Sequence, residues 1–285
     1  MPEPRAAQVV SRVDRIDARS ASTVDDSVAV EEPLEIRIRA HDEPLPGTPV
    51  TVTMRTPGHD EALALGFLFG EGLIHSMADV AHVGPCGTTG QVVAVQLAAG
   101  VADPRPALQR SFYTTSSCGV CGKSSIEAIT RLIPAGRVSQ TLRMSADALR
   151  ALPQRLRDNQ SVFARTGGLH AAALVEPGGE LLAVFEDVGR HNATDKLLGA
   201  ELRLGQRRPQ RAALLLSGRA SFELLQKAAM AGIELVAAIG APSSLAVDLA
   251  RSLDITLVGF LRPTGFNIYT GAVRIDVGHG SPDSR

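Results

Sequence analysis

The chain has 285 residues, is 44% hydrophobic and 21% charged, and carries a formal net charge of −1. That length supports a sizeable core in one or two units. The near-zero charge gives no broad electrostatic footprint for nucleic acid, and no apolar run reaches membrane-spanning length.

The N-terminus, Met1-Pro2-Glu3-Pro4-Arg5, lacks the apolar core of a signal peptide. Three cysteines in a long chain suit a reducing compartment, so a cytoplasmic protein is expected. Residues 1–26 are polar without a sustained apolar period and read as a disordered tail. Strand-like alternation starts at Val28-Ala29-Val30 and runs through Leu34–Arg39. A Pro/Gly-rich turn, Glu43–Gly47, leads to a second strand at Val50–Met54. An apolar helix follows at Ala62–Phe69, with Asp60 and Glu61 suited to its first turn. Gln91–Leu97 is another strand, so residues 27–113 read as a small α+β unit.

Next comes Ser116-Ser117-Cys118-Gly119-Val120-Cys121-Gly122-Lys123, with two of the three cysteines in a C-x-x-C spacing. The apolar positions of Ile126–Ile133 recur at helical spacing. The segment 114–125 therefore reads as a mobile loop leading into a helix N-terminus, where a thiolate has a lowered pKa and is abundant at neutral pH. Three chemistries use such a pair: half of a zinc site, a redox dithiol, or a carrier cysteine that accepts and passes on a group. Zinc wants four ligands, and only Cys86 and scattered histidines remain. A dithiol of the thioredoxin type follows a buried strand, whereas Phe112–Ser117 is short and polar. The motif alone does not choose.

Residues 126–285 read as an α/β unit. A helix spans about Ser145 to Arg157, capped by Ser145. A hairpin of Leu169–Val175 and Leu181–Phe185 turns at Pro177-Gly178-Gly179. A strand–loop–helix rhythm then sets in. Strands at 181–185, 212–216 and 235–239 lead into helices at 193–204, 221–231 and 245–252, and strands at 255–260 and 267–269 close the unit. Near-continuous apolar strands alternating with helices predict a parallel-rich sheet, whose right-handed crossovers send the outgoing loops to one edge. That edge gathers Gly189-Arg190-His191, Ser217-Gly218-Arg219, Gly240–Ser243 and Arg262-Pro263-Thr264-Gly265. Glycines, helix N-termini and three arginines are equipment for phosphate.

Single residues keep plainer alternatives. His170, at a strand start, reads equally as a core histidine. Asn192 reads as an N-cap, and Asp195 with Lys196 reads as a solvated helix face or as part of the site. Arginine outnumbers lysine 26 to 3, so Lys123, Lys196 and Lys227 mark places where a compact ammonium is needed.

Taken together, these motifs resemble the formate dehydrogenase accessory sulfurtransferases, the FdhD family. The resemblance rests on Ser117–Lys123, Thr166–His170, Glu186–Lys196, Ser217–Arg219 and Gly259–Arg262, in the family's order, and covers most of the chain from about residue 30. It implies a protein that takes persulfide sulfur from a cysteine desulfurase. The sulfur passes to a molybdenum or tungsten bis(molybdopterin guanine dinucleotide) cofactor, carried as cargo, which becomes competent for formate dehydrogenase. Cys118 matches the persulfide residue and Cys121 a helper thiol. Phe260-Leu261-Arg262-Pro263-Thr264-Gly265 matches the cofactor-contacting segment. Arg190, His191, Ser217, Gly218, Arg219, His170 and Lys196 complete the expected cofactor site. The chain departs at Pro263, which stands where the family carries Gly and removes a backbone donor. The resemblance further implies a cytidine-deaminase-like fold for the larger unit, a homodimer and no structural metal.

Two other readings are tied to specific features. A zinc deaminase needs H-x-E and P-C-x-x-C, but Ser117 precedes Cys118 and no Glu stands two residues after His170. A non-catalytic nucleotide-binding chaperone would leave the cysteines incidental.

Overall fold

Leu34, Ile36 and Ile38 alternate inward along β3 (Glu32–Arg39) and are fully buried, which fixes the face and register of the first sheet. A computed structural model describes residues 6–105, 133, 137–138, 141–205 and 211–278. In it, β4 (Thr48–Arg55) pairs antiparallel with β3, and β6 (Val92–Leu97) lies parallel on its other side. β5 (Val80–Pro85) follows, giving the order β4-β3-β6-β5. Helix α1 (Asp60–Gly70) buries Ala62 through Gly66, Leu68 and Phe69, as a helix apolar on nearly every side must.

After the two-residue β7 (Met144–Ser145), the second half forms a six-stranded sheet from β8 (His170–Val175), β9 (Leu181–Asp187), β10 (Ala213–Leu216), β11 (Leu235–Ala238), β12 (Thr256–Arg262) and β13 (Gly265–Thr270). The order is β13-β12-β11-β10-β8-β9, with β10, β11 and β12 parallel and the other neighbours antiparallel. The molecule is thus a mixed α/β protein. Leu214, Leu216 and Val236 point to one face and pack with α1, α4 (Arg190–Arg203), α5 (Phe222–Met230) and α6 (Ser244–Ser252). Ala213, Leu215 and Leu235 point to the other, against Leu149, Leu152 and Leu156 of α2 (Ala146–Asp158). Burial on both faces explains the uninterrupted apolar runs. Ser145 caps α2, accepting the Ala148 N–H at 3.1 Å.

One core runs from the first sheet through α1 to the second sheet. Helices α1 and α4 cross backbone to backbone: a methyl at Gly66 would lie 1.9 Å from the Asp195 carbonyl oxygen, and one at Gly199 would lie 1.9 Å from that of Ala62. Around this crossing the chain buries charge. The Lys196 ammonium sits 2.7 Å from Asp187 and donates to the Thr56 carbonyl at 2.7 Å. Asp187 also accepts from the N–H groups of Thr56 and Gly189 and from the Asn192 amide. Lys227 lies 2.8 Å from Asp195. Burial pushes the Asp195 carboxyl up to about 6, against the pull of Lys227.

Residues 8–29 correct the expected tail. β1 (Gln8–Ile16) and β2 (Ala21–Ala29) form an antiparallel hairpin. Neither strand has a fully buried position, so there was no period-2 apolar face to read. The ladder is reinforced by polar contacts instead. Asp17 accepts the N–H groups of Arg19 and Ser20 in the turn, and Thr23 donates to Asp14 at 2.8 Å. The expected loop 114–125, with Cys118, Cys121 and Lys123, and nearly all of the helix expected after it lie outside the described residues.

Candidate functional site

Strand β9 ends at the buried Asp187, and the chain bends through Val188-Gly189 into α4. Because β9 is reached through two antiparallel pairings, its outgoing end shares an edge with those of β10, β11 and β12. The loops leaving these strands stack on one another. Gly240 donates to the Gly218 carbonyl at 2.9 Å, Ser243 to that of Ala220 at 3.0 Å, and Phe260 to that of Gly240 at 3.0 Å. A methyl on Gly240 would meet Gly218 backbone at 2.8 Å. The glycine therefore permits the close approach that joins these turns into one surface.

At its centre, the Ser217 hydroxyl accepts the Ala171 N–H at 2.8 Å and lies 3.5 Å from His170 Nδ1. Burial holds the His170 imidazole below its ordinary pKa, and the positive fields of Arg190, His191 and Arg219 push the same way. At neutral pH it is an uncharged hydrogen-bonding ring. His191 Nε2 stands 2.8 Å from Glu223 and 3.2 Å from the Ser221 hydroxyl. The hydrogen bond with His191 is the largest influence holding Glu223 below the usual carboxylate range. Neither the Arg190 nor the Arg219 guanidinium makes an ion pair or hydrogen bond to a described residue. The N-caps of α4 and α5, Gly189 and Ser221, make no side-chain cap, leaving first-turn N–H groups open at this edge. Guanidinium groups beside uncapped helix N-termini have the chemistry to hold an anion.

The structure brings His170, Arg190, His191, Ser217, Gly218 and Arg219 together. The segment 260–265 adjoins them through the Gly240 loop, forming the β12–β13 hairpin. Phe260 is half-exposed with a positive φ of 53°, a conformation costly for an aromatic residue and found where function demands it. Arg262 donates to the Ile239 carbonyl at 2.6 Å, so part of its donor capacity is committed to the fold. Pro263 and Thr264 make the exposed two-residue turn between Arg262 and Gly265. Pro263 takes the first turn position, where a fixed φ suits the backbone.

Three expectations are corrected. Lys196 is 1% exposed and spent on Asp187 and two carbonyl groups, so it holds the fold together and offers no ammonium to a ligand. Leu261 is fully buried in the core over α2 and can contribute only backbone. Asn192 lies inside α4, tying Met54 and Thr53 of β4 to Asp187; the N-cap is Gly189. Sequence reasoning missed Glu223, which partners His191 across 32 positions and carries no local signal. Cys86 is buried and unpaired. Among the described residues, no helix is long and apolar enough to cross a membrane.

Fold and edge define a mixed α/β protein with guanidinium groups and uncapped helix N-termini gathered at the outgoing ends of its parallel strands. Residues 29–276 match the FdhD/NarQ family, and the chain belongs to it. It is 50% identical over 274 residues to the sulfur carrier protein FdhD of Mycobacterium tuberculosis, covering 93% of this chain and 97% of the relative. The Streptomyces coelicolor protein of the same name is 50% identical over 273 residues, 93% and 94% of the two chains. That of Anaeromyxobacter sp. (strain K) is 46% identical over 287 residues, 95% and 96%. A crystal structure from Desulfotalea psychrophila, described as a formate dehydrogenase accessory protein, superposes with a TM-score of 0.73. It is 23% identical and matches 95% of this chain and 100% of that one.

Proposed function

We propose that this protein is a cytoplasmic sulfur carrier acting through a persulfide on Cys118, with Cys121 as helper thiol. Near 50% identity to sulfur carriers over most of the chain supports the carrier role. The donor is a cysteine desulfurase. The Cys118 thiolate attacks the outer sulfur of the donor persulfide, forming a new S–S bond and releasing the donor cysteine as thiolate. The acceptor is a molybdenum or tungsten bis(molybdopterin guanine dinucleotide) cofactor destined for formate dehydrogenase. Its reduced metal supplies two electrons as the outer sulfur becomes metal-bound sulfide, and Cys118 returns as a thiolate. The cofactor is cargo, held at the edge by its phosphates. Arg190 and Arg219, without an ion-pair partner among the described residues and beside two open helix N-termini, are the observation that carries this reading. The protein works as a homodimer, and the exposed Val10, Ile16, Val52 and Met54 supply apolar surface for such an association.

The test is peptide mass spectrometry after incubation with a cysteine desulfurase and cysteine. One added sulfur on the Cys118 peptide is expected. Cys118→Ala should load none while binding GDP within about twofold of the parent. An unloaded Cys118, or equal loss of loading and GDP binding in Cys118→Ala, overturns the reading.

A further inference from the structure

The hairpin of β1 and β2 is an arm held to the rest of the molecule at its base. Arg165, in the short α3 (Phe163–Thr166), donates to the Gln8 side-chain oxygen at 2.6 Å. A methyl on Gly168 would lie 3.6 Å from Ala29 Cβ. Beyond the base, every hydrogen bond among the described residues stays within the arm. Neither hydrophobic core includes any of its residues. Its two nine-residue strands give it a length of about 30 Å. A two-stranded hairpin alone in water is marginally stable, so an arm of this length gains from a surface to lie on.

The register shows which face meets that surface. Val9 pairs with Val28 and Val13 with Val24, and side chains two apart along a strand share a face. These valines therefore lie on one side of the arm, with Ser11 and Asp26 between the two rows and Arg15 and Ser22 beyond them. Gln8 and Ala29, which touch the body, lie on the other side, so at the base the valine face points away from it. Val9 is 48% and Val28 43% exposed. The charges on this face are Arg15 and Asp26, both exposed. They cancel, so the face accepts a copy of itself without net repulsion.

We propose that the valine faces of two arms stack against each other about a two-fold axis, joining two copies of this chain. The inference rests on the homodimer named under the proposed function and assigns the contact that holds it. Stacked sheets need apolar inner faces about 10 Å apart, and a two-fold axis puts the same surface on both subunits. The valine rows meet both conditions, because a second copy brings a face already matched to the first. One such face spans about 30 Å by 10 Å, short of the roughly 800 Å2 per partner in a standard interface. Val52 and Met54, 62% and 47% exposed on β4, extend the apolar contact. Their strand ends at Arg55 opposite Glu32, where the arm joins the first sheet.

The test is sedimentation velocity of the full chain over a concentration series, in which the parent should be a dimer. Val13→Lys/Val24→Lys puts ammonium groups into the contact and should weaken the dimer at least a hundredfold, while circular dichroism shows the body still folded. If that variant also loses the arm, Val13→Thr/Val24→Thr keeps β-branched strand formers in it and should weaken the dimer at least tenfold. A parent dimer that both variants leave unchanged overturns the arm contact and leaves the homodimer standing. A parent that stays monomeric overturns the homodimer reading, and the arm contact with it.

Discussion

Helix α4 carries two sets of charged side chains, at positions 190–191 and 195–196, with opposite uses. Asp195 and Lys196 are spent inside, on Lys227 and Asp187, where they hold the first sheet and α1 to the second sheet. Arg190, at the start of the helix, has no partner among the described residues, and His191 is tethered to an exposed glutamate. A buried ion pair gains little over an apolar pair but is expensive to break. An unpaired guanidinium at a helix N-terminus contributes nothing to the fold and much to an anion. The comparison teaches that charge type and position along a helix do not tell structural from ligand-facing roles; what packs opposite does.

The interior set is the place to look for the largest effect. Lys196→Met leaves Asp187 buried with an uncompensated charge, and should cost about 3–5 kcal/mol of stability, read by denaturant unfolding. A loss below about 1 kcal/mol would mean that the pair behaves like a surface one. Next is the crossing that brings the two sets onto one helix. Gly199→Ala places a methyl 1.9 Å from the Ala62 carbonyl oxygen and should cost about 1–3 kcal/mol through separation of α1 from α4. An unchanged melting temperature would show that the helices can part freely.

At the edge the expected pattern reverses. Arg219→Ala should leave unfolding unchanged while weakening pyrophosphate by about 1.5–3 kcal/mol, the worth of hydrogen bonds to a charged group. Loss of stability without loss of affinity would erase the contrast. The smallest effect is on His170. Its folded pKa lies below 6.5, so between the two values the unfolded chain binds more protons and stability rises with pH. Arg190→Ala removes one of the causes and should move the NMR titration midpoint of His170 upward. A downward shift would contradict the assigned fields.

Much of this arrangement was legible in the sequence, for identifiable reasons. The βα rhythm of the second half is written in apolar runs long enough to be strands buried on both faces. The strands leaving at Phe185, Leu216, Ile239 and Phe260 therefore located the edge and its arginines before any coordinates. Ser145 announced its helix as a capping residue should. The hairpin of residues 8–29 was invisible because both of its faces are largely solvent-exposed, so alternation carries no burial signal. Lys196 was misplaced because a lone lysine in a first helical turn looks the same whether it meets solvent or Asp187. Glu223 was missed because its significance lies in what faces it across the fold. That information is tertiary.

The most direct measurement follows sulfur off Cys118. Protein loaded by a desulfurase is mixed with the reduced bis(molybdopterin guanine dinucleotide) metal cofactor, and the Cys118 peptide is weighed over time. The account predicts rapid discharge from the parent chain and retention of the sulfur in the Arg190→Ala/Arg219→Ala double variant, although both load equally. Equal discharge from the two proteins would show that the edge does not hold the acceptor and would contradict the account at its centre.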